Sequence, residues 1–267
     1  MNKYFLLALC LMMALLTSCN FTEEITFKED GSGEFLMSYD MSEVMKTFEE
    51  MGGAEKKENE EKEAAEKIDS VVYFKDMLVE NADSIAKLPK EEQEHLKSLE
   101  SVMMRFKVDE AEGLFDFGIG STFNSLEELP EVMEKIEKAK KLNSKGNAQF
   151  SQMDQSAVAK SAEGMFEYLD FSYDGKTFSR QLKKDFKRSE EEMKAFEDEM
   201  NQMGGESKEF FQKMNYTLVY HFPKPIKSVS NSSAELSNGG KTVTLKMNFV
   251  EMMKSPELMN LKVELED

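Results

Sequence analysis

The 267-residue chain has no tryptophan, two cysteines, two histidines and five prolines. Each scarcity closes off a class of function. His95 sits in a Glu- and Lys-crowded stretch and His221 in an apolar run before Pro223, and neither has a nucleophile or metal ligand at a recognised spacing. There is no phosphate-binding glycine loop, serine elbow or HExxH. Positive charge is also short, with 34 Lys and Arg against 52 Asp and Glu and a net charge of −18, so nucleic acid and anionic headgroups repel the chain. No apolar run is long enough to cross a membrane. The longest, Phe5 to Leu16, has twelve residues and reaches about 18 Å as a helix, against about 30 Å of hydrocarbon.

What stands at that end has the form of a secretory signal: Lys3, the short apolar run, then small residues. It finishes Leu16-Thr17-Ser18-Cys19, an aliphatic residue, two small ones and a thiol. This resembles the lipobox of bacterial lipoproteins, and the resemblance implies cleavage between Ser18 and Cys19 and a lipid on Cys19. Cys10 then leaves with residues 1–18, the mature chain keeps no other thiol, and disulfides or cysteine metal sites are excluded. Two or more acyl chains anchor stably where a single one does not. Asn20 is not the aspartate that retains enterobacterial lipoproteins in the inner membrane, which leans toward the outer membrane.

Beyond the signal the pattern is α+β: antiparallel β-hairpins and sheet packed with amphipathic helices. Residues 21–39 read as strand, turn and strand around Asp30-Gly31, followed by a helix with Val44, Met45, Phe48 and Met51 on one side. Residues 54–67 are a Glu/Lys insert without an apolar face. Residues 69–100 read as two helices broken at Pro89, and 101–123 as a hairpin turning near Gly113. Ser125 and Glu128 have capping-box spacing at the head of the next helix. A polar segment, 143–163, separates a first half (19–142) from a second (164–267).

The second half repeats the first. It has a hairpin at Asp174-Gly175 and a helix from Ser189 to a Gly-Gly stop, with Met193, Phe196, Met200 and Met203 on one side. "EVMKTFEEMGG" and "EEMKAFEDEMNQMGG" share a Met-Lys-x-Phe-Glu core, which predicts a two-fold internal duplication. Met45, Phe48, Met193, Phe196, Met200 and Met203 are the candidate lining of an apolar groove, although such stripes usually face an ordinary core.

Other motifs are weaker. "KEDGSGE" lacks the alternating ligands of a calcium loop, and the methionine pairs lack the His or Cys of a copper site. Paired carboxylates are too common to single out. Asp69-Ser70-Val71 and Asp83-Ser84-Ile85 resemble the acceptor of a general O-glycosylation system of some anaerobic Gram-negative bacteria, which makes Ser70 and Ser84 candidate sites. "CNFTEEITFKEDGSGEF" (19–35) and Phe222-Pro-Lys-Pro225 resemble the LppM-like envelope lipoproteins. That resemblance implies an α+β binding or accessory protein.

The expectation is therefore a lipid-anchored, non-enzymatic envelope module without metal or cofactor. Its partners are the membrane, through Cys19, and an unidentified protein or lipid, but not nucleic acid. A lipid carrier is the alternative and a carboxylate hydrolase the third reading. Cys19→Ala should abolish labelled fatty-acid incorporation and release the protein from the membrane fraction, as no other residue can form the thioether. Full retention with undiminished labelling would rule the lipobox out.

Overall fold

In β1 (Asn20–Phe27) every second side chain points the same way, so Phe21, Glu23, Ile25 and Phe27 face inward and Thr22, Glu24 and Thr26 outward. The computed structural model to which this strand belongs describes residues 20–42, 67–144, 166, 168–187 and 189–267. Ser18, Cys19, the stripe of Val44, Met45, Phe48 and Met51, nearly all of the Glu/Lys insert and most of the polar segment lie outside those residues.

β1 turns into β2 (Gly33–Asp40) at Gly31, and β6 (Leu169–Tyr173) into β7 (Thr177–Leu182) at Gly175. Both glycines have φ +85°, a left-handed conformation open to glycine. In each turn the preceding aspartate accepts from the backbone two residues on, Asp30 from the Ser32 N–H (3.0 Å) and Asp174 from the Lys176 N–H (2.9 Å). The remaining strands are β3 (Lys67–Tyr73), β4 (Val102–Asp109), β5 (Leu114–Phe123), β8 (Asn215–His221), β9 (Ile226–Val229), β10 (Glu235–Ser237), β11 (Thr242–Asn248) and β12 (Leu261–Leu265).

They form two sheets, one of eight strands in the order β10-β11-β8-β1-β2-β5-β4-β3 and one of four in the order β6-β7-β12-β9. Pairing is antiparallel except between β1 and β8, which run parallel from Asn20 beside Asn215 to Thr26 beside His221. The larger sheet thus joins strands from both sides of the polar segment. The fold is α+β, as expected.

The helices are α1 (Phe74–Glu80), α2 (Ala82–Ile85), α3 (Lys90–Lys97), α4 (Leu129–Ser144), α5 (Glu190–Gln202), α6 (Gly205–Lys213) and α7 (Phe249–Lys254). One core cluster takes the inward face of the larger sheet, Phe178, Val263 and Leu265 of the smaller one, Val132 and Ile136 of α4, Phe196 and Met200 of α5, and Met252 and Met253 of α7. Phe27 anchors one end of it, with rings of Tyr173, Phe178 and Phe222 at 4.4, 5.5 and 5.3 Å.

Three local expectations are corrected. Residues 67–73 form a strand, since Ile68, Val71, Val72 and Tyr73 suit a pleated surface and β4 pairs with them along their length. Ser125 makes no cap. Glu128 instead reaches back to accept from the Asn124 N–H at 2.9 Å. Gly204-Gly205 is a joint between α5 and α6, as Gly205 opens the second helix. Ser189 and Glu192 do form the reciprocal capping box at the head of α5.

The two sheets are tied by a charge pair inside the core. Glu23 and Arg180 of β7 are fully buried, and the guanidinium donates to both carboxylate oxygens, from Nε at 3.3 Å and from Nη2 at 2.9 Å. Tyr216 and Tyr220 of β8 donate to the same carboxylate at 2.8 and 2.5 Å, and Arg180 Nη1 donates to the Met259 carbonyl at 3.1 Å. Burial works against the Arg180 charge, but Glu23 more than offsets it, so its pKa is raised. Burial and the adjacent carboxylate push both tyrosine hydroxyls well up.

Arg180→Met should cost about 3–5 kcal/mol in urea unfolding, because it leaves a carboxylate buried and unpaired. Glu23→Leu/Arg180→Met should recover only part of that, as two buried hydroxyls lose their acceptor at about 1–3 kcal/mol each. Adding Tyr216→Phe and Tyr220→Phe should recover most of the rest.

Candidate functional site

The outward face of the larger sheet carries a different chemistry from its core face. Alternation that sends Glu23 inward sends Glu24 outward, where it meets His221 of β8: Nε2 lies 2.8 Å from Glu24 Oε1 and Nδ1 2.9 Å from Thr242 Oγ1. The imidazole shares a hydrogen bond with the Thr242 hydroxyl at Nδ1, and it donates from Nε2 to Glu24. That hydrogen bond holds the Glu24 carboxyl below the usual range, opposed by burial and helped by the charges of His221 and Arg105.

Two shallow grooves flank this position. One, of about 190 Å³, is lined by Thr22, Glu24, Ser38, Arg105, Lys107, Leu114 and Asp116. The other, of about 220 Å³, is lined by residues that include Glu24, Leu36, Asp69, Tyr73 and Arg105. Glu24 and Arg105 belong to both, so the grooves form one continuous surface across β1, β2, β5, β4 and β3, charged residues alternating with Leu36, Val71 and Met103. The absence of side chains at Gly118 and Gly120 on the outward face of β5 keeps the middle of that surface low. A Cβ at Gly118 would stand 3.0 Å from Leu36 Cδ1 and 3.1 Å from Ser38 Oγ, and one at Gly120 would meet the Phe35 carbonyl oxygen at 2.1 Å.

Arg105 is the central cation. Among the described residues its guanidinium comes no closer to a carboxylate than 3.7 Å, at Asp69, which is beyond hydrogen-bond length. Asp116, in the first groove, has its pKa pushed up by burial and then by neighbouring Asp40, with Arg105 and Lys107 pulling the other way. Glu24 and Asp116 are therefore shifted in opposite directions on one face. The register sets them apart, two strands over and four residues along, roughly 16 Å between Cα atoms.

Sequence reasoning assigned no role to Glu24, Arg105, Asp116 or His221. The legible signal was a lone arginine on an alternating strand, "VMMRFKVD", with its apolar neighbours on the opposite face. Of the residues that reasoning did name, Phe196 and Met200 are buried in the core cluster, while Met193 and Met203 are half-buried. None of the four lines either groove. Ser70, on edge strand β3, and Ser84, in α2, are both exposed and lie on different elements. Among the described residues no cluster of three or more His, Cys, Asp or Glu could hold a metal, and no helix is long and apolar enough to cross a membrane.

No family model matches the chain, and no curated protein does. Among solved structures it is similar to the folded domain of LppM from Mycobacterium tuberculosis, determined by NMR. The identity is 10%, the TM-score 0.32, and the match covers 93% of this chain and 91% of that one.

The two carboxylates make stability depend on pH with opposite signs. Asp116, its pKa raised by folding, costs stability once ionised, so Asp116→Asn should raise the urea midpoint at pH 7 and leave it nearly unchanged near pH 3, below the ordinary value for an aspartate. Glu24, its pKa lowered, contributes stability that is lost as pH falls through its folded value. Glu24→Gln should lower the midpoint at pH 7, and the difference should close on acidification.

Proposed function

We propose that this protein is a lipid-anchored cell-envelope module that binds a ligand or protein partner on the outward face of its larger sheet and has no catalytic role. The observation that carries this reading is Arg105, shared by both grooves and beyond hydrogen-bond reach of any described carboxylate. A planar guanidinium with donors to spare suits a carboxylate- or phosphate-bearing group on the partner. The lipobox supports the envelope location, and the lack of a basic surface leaves membrane attachment to the lipid.

The carrier reading needs empty apolar space beside the methionine stripe of α5, whereas Phe196 and Met200 there pack into the core. The hydrolase reading needs two carboxylates close across a scissile bond, whereas Glu24 is engaged by His221 and Asp116 lies far along the sheet. Both readings have less support than a binding face.

Photocrosslinking in intact cells from a probe placed at Leu114 tests the proposal. Arg105→Ala/Lys107→Ala should reduce the crosslinked species, identified by mass spectrometry, at least about tenfold, as loss of an anchoring charge does at an interface. Unchanged crosslinking by a variant whose circular dichroism and urea midpoint match the wild type would defeat it.

A further inference from the structure

The larger sheet ends at β3, whose seven residues pair with β4 from Lys67 beside Asp109 to Tyr73 beside Met103. Among the described residues no strand pairs with its other edge, so every second N–H and C=O of β3 points out of the sheet. The other three edge strands are shorter, β10 with three residues, β9 with four and β6 with five. β9 also follows Pro225 directly and shifts register against β12 between Glu264 and Leu265. Short strands, proline and bulges are the usual protection of an edge, and β3 has none of them.

Charge does not protect β3 either. Lys67 reaches back to Asp109 at 2.8 Å, and Asp69 lies 3.7 Å from Arg105, so both charged groups lean over β4. Ser70, Val71, Val72 and Tyr73 carry no charge, and Val71 is 47% exposed. β-branched residues on a pleated strand favour pairing. α1 follows Tyr73 and turns Phe74 toward the core cluster rather than over the edge.

The outward side of β3 is a wall of the second groove, through Asp69, Val71 and Tyr73. Arg105 stands opposite Val71. A strand added to β3 would lie about 4.8 Å beyond it, which puts the residue opposite Val71 about 10 Å from Arg105 between Cα atoms. An arginine and a glutamate span that distance when both lean over a valine. We propose that β3 receives an extended segment of a partner protein, paired as an added strand, with a carboxylate opposite Val71 held by Arg105.

This rests on the binding face of the proposed function and identifies its occupant as a peptide in strand form. Main-chain pairing supplies affinity at such a site, and alternate side chains supply specificity. On the inward side, apolar residues of the segment meet Ile68 and Val72; on the outward side, its acid meets the guanidinium. A second copy of this chain aligned about Ser70 offers only Asp69 opposite Val71, and that carboxylate already lies beside its own Arg105. Residues 54–66, which lead into β3, are Ala, Glu, Lys and Asn throughout, types depleted in strands.

The test uses the full mature protein in detergent micelles and a displayed library of random heptapeptides, whose tightest binders are then synthesised. In the free protein, amide-resolved hydrogen exchange should find one alternate set of β3 amides fast and the other protected by β4. A bound peptide should slow the fast set at least about tenfold. The selected sequences should be enriched in Asp or Glu, and Arg105→Ala should weaken their binding at least about tenfold. Ser70→Pro or Val71→Pro, whichever removes a fast amide, is tolerated in an edge strand and should abolish the slowing of the rest.

No binder, or slowing confined to other strands, overturns the inference. A dimer with the fast set already protected assigns the edge to a second copy, and the same protection in a monomer assigns it to residues 43–66. Each of these overturns it too. Loss of crosslinking from Leu114 in Arg105→Ala/Lys107→Ala, with β3 exchange never responding, keeps the binding face and removes strand addition. Peptides that slow β3 but ignore Arg105→Ala refute the carboxylate contact, and the proposed function then loses the observation that carries it.

Discussion

The fold depends on how one buried carboxylate is satisfied. Glu23 has four donors from three side chains, two from Arg180 and one each from Tyr216 and Tyr220. Those side chains come from a strand of the other sheet and from the parallel neighbour of β1, 157 to 197 residues away. Such a network is a weak source of net stability, since desolvating two charges offsets most of their attraction. Its effect is on alternatives. A one-residue slip between β1 and β8 would turn Phe21, Ile25 and Phe27 out of the core and Thr22 and Thr26 into it, so few other registers can compete. Among the described residues no buried side-chain polar atom lacks a partner.

The same constraint builds the outward face. Because consecutive residues of a strand point to opposite sides, fixing Glu23 inside fixes Glu24 outside, and the parallel register sets Thr26 beside His221 near it. The methionines complete the core around the fixed pair. Met252, Met253 and Met259 are each fully buried, and Met259 also contributes its carbonyl and thioether to Arg180. A flexible, polarizable side chain fits the irregular space beside a rigid polar network better than a branched one.

Much of this was legible locally and little of it globally. The Asp-Gly hairpins, the Ser189 cap and the strand-rich last third follow from turn chemistry and alternation, which act over a few residues. The parallel pairing of β1 with β8 joins segments nearly two hundred residues apart, and no local signal encodes it. β3 was misread because the charged run before it extends a helical pattern that pairing with β4 overrides. The inward glutamate was readable in principle: an acidic residue between Phe21 and Ile25 on an alternating strand requires a buried cation, and the chain has only three arginines. Choosing Arg180 among them needed the position of β7, which only the tertiary structure supplies. The candidate site was hidden for the same reason, since Glu24, Arg105 and His221 meet only when three separate segments align.

On the proposed function, tethering and recognition would divide along the strands of one sheet. If Cys19 carries the lipid, Thr22 lies about 10 Å along β1 from it and Glu24 about 17 Å, while Asp116 and Leu114 of the same groove stand level with or beyond the start of β1, so that end of the groove would sit against the anchored end of the domain. The polar edge of a bilayer leaflet is itself about 5–8 Å deep. A partner approaching that groove would therefore meet the membrane as well as the protein. The Glu24–His221 end opens farther out, where a partner projecting from outside the bilayer could reach it. An anchor at Cys19 would thereby act on selectivity: it would set the distance from the bilayer at which each part of the grooves can be reached, without contributing a single contact to them.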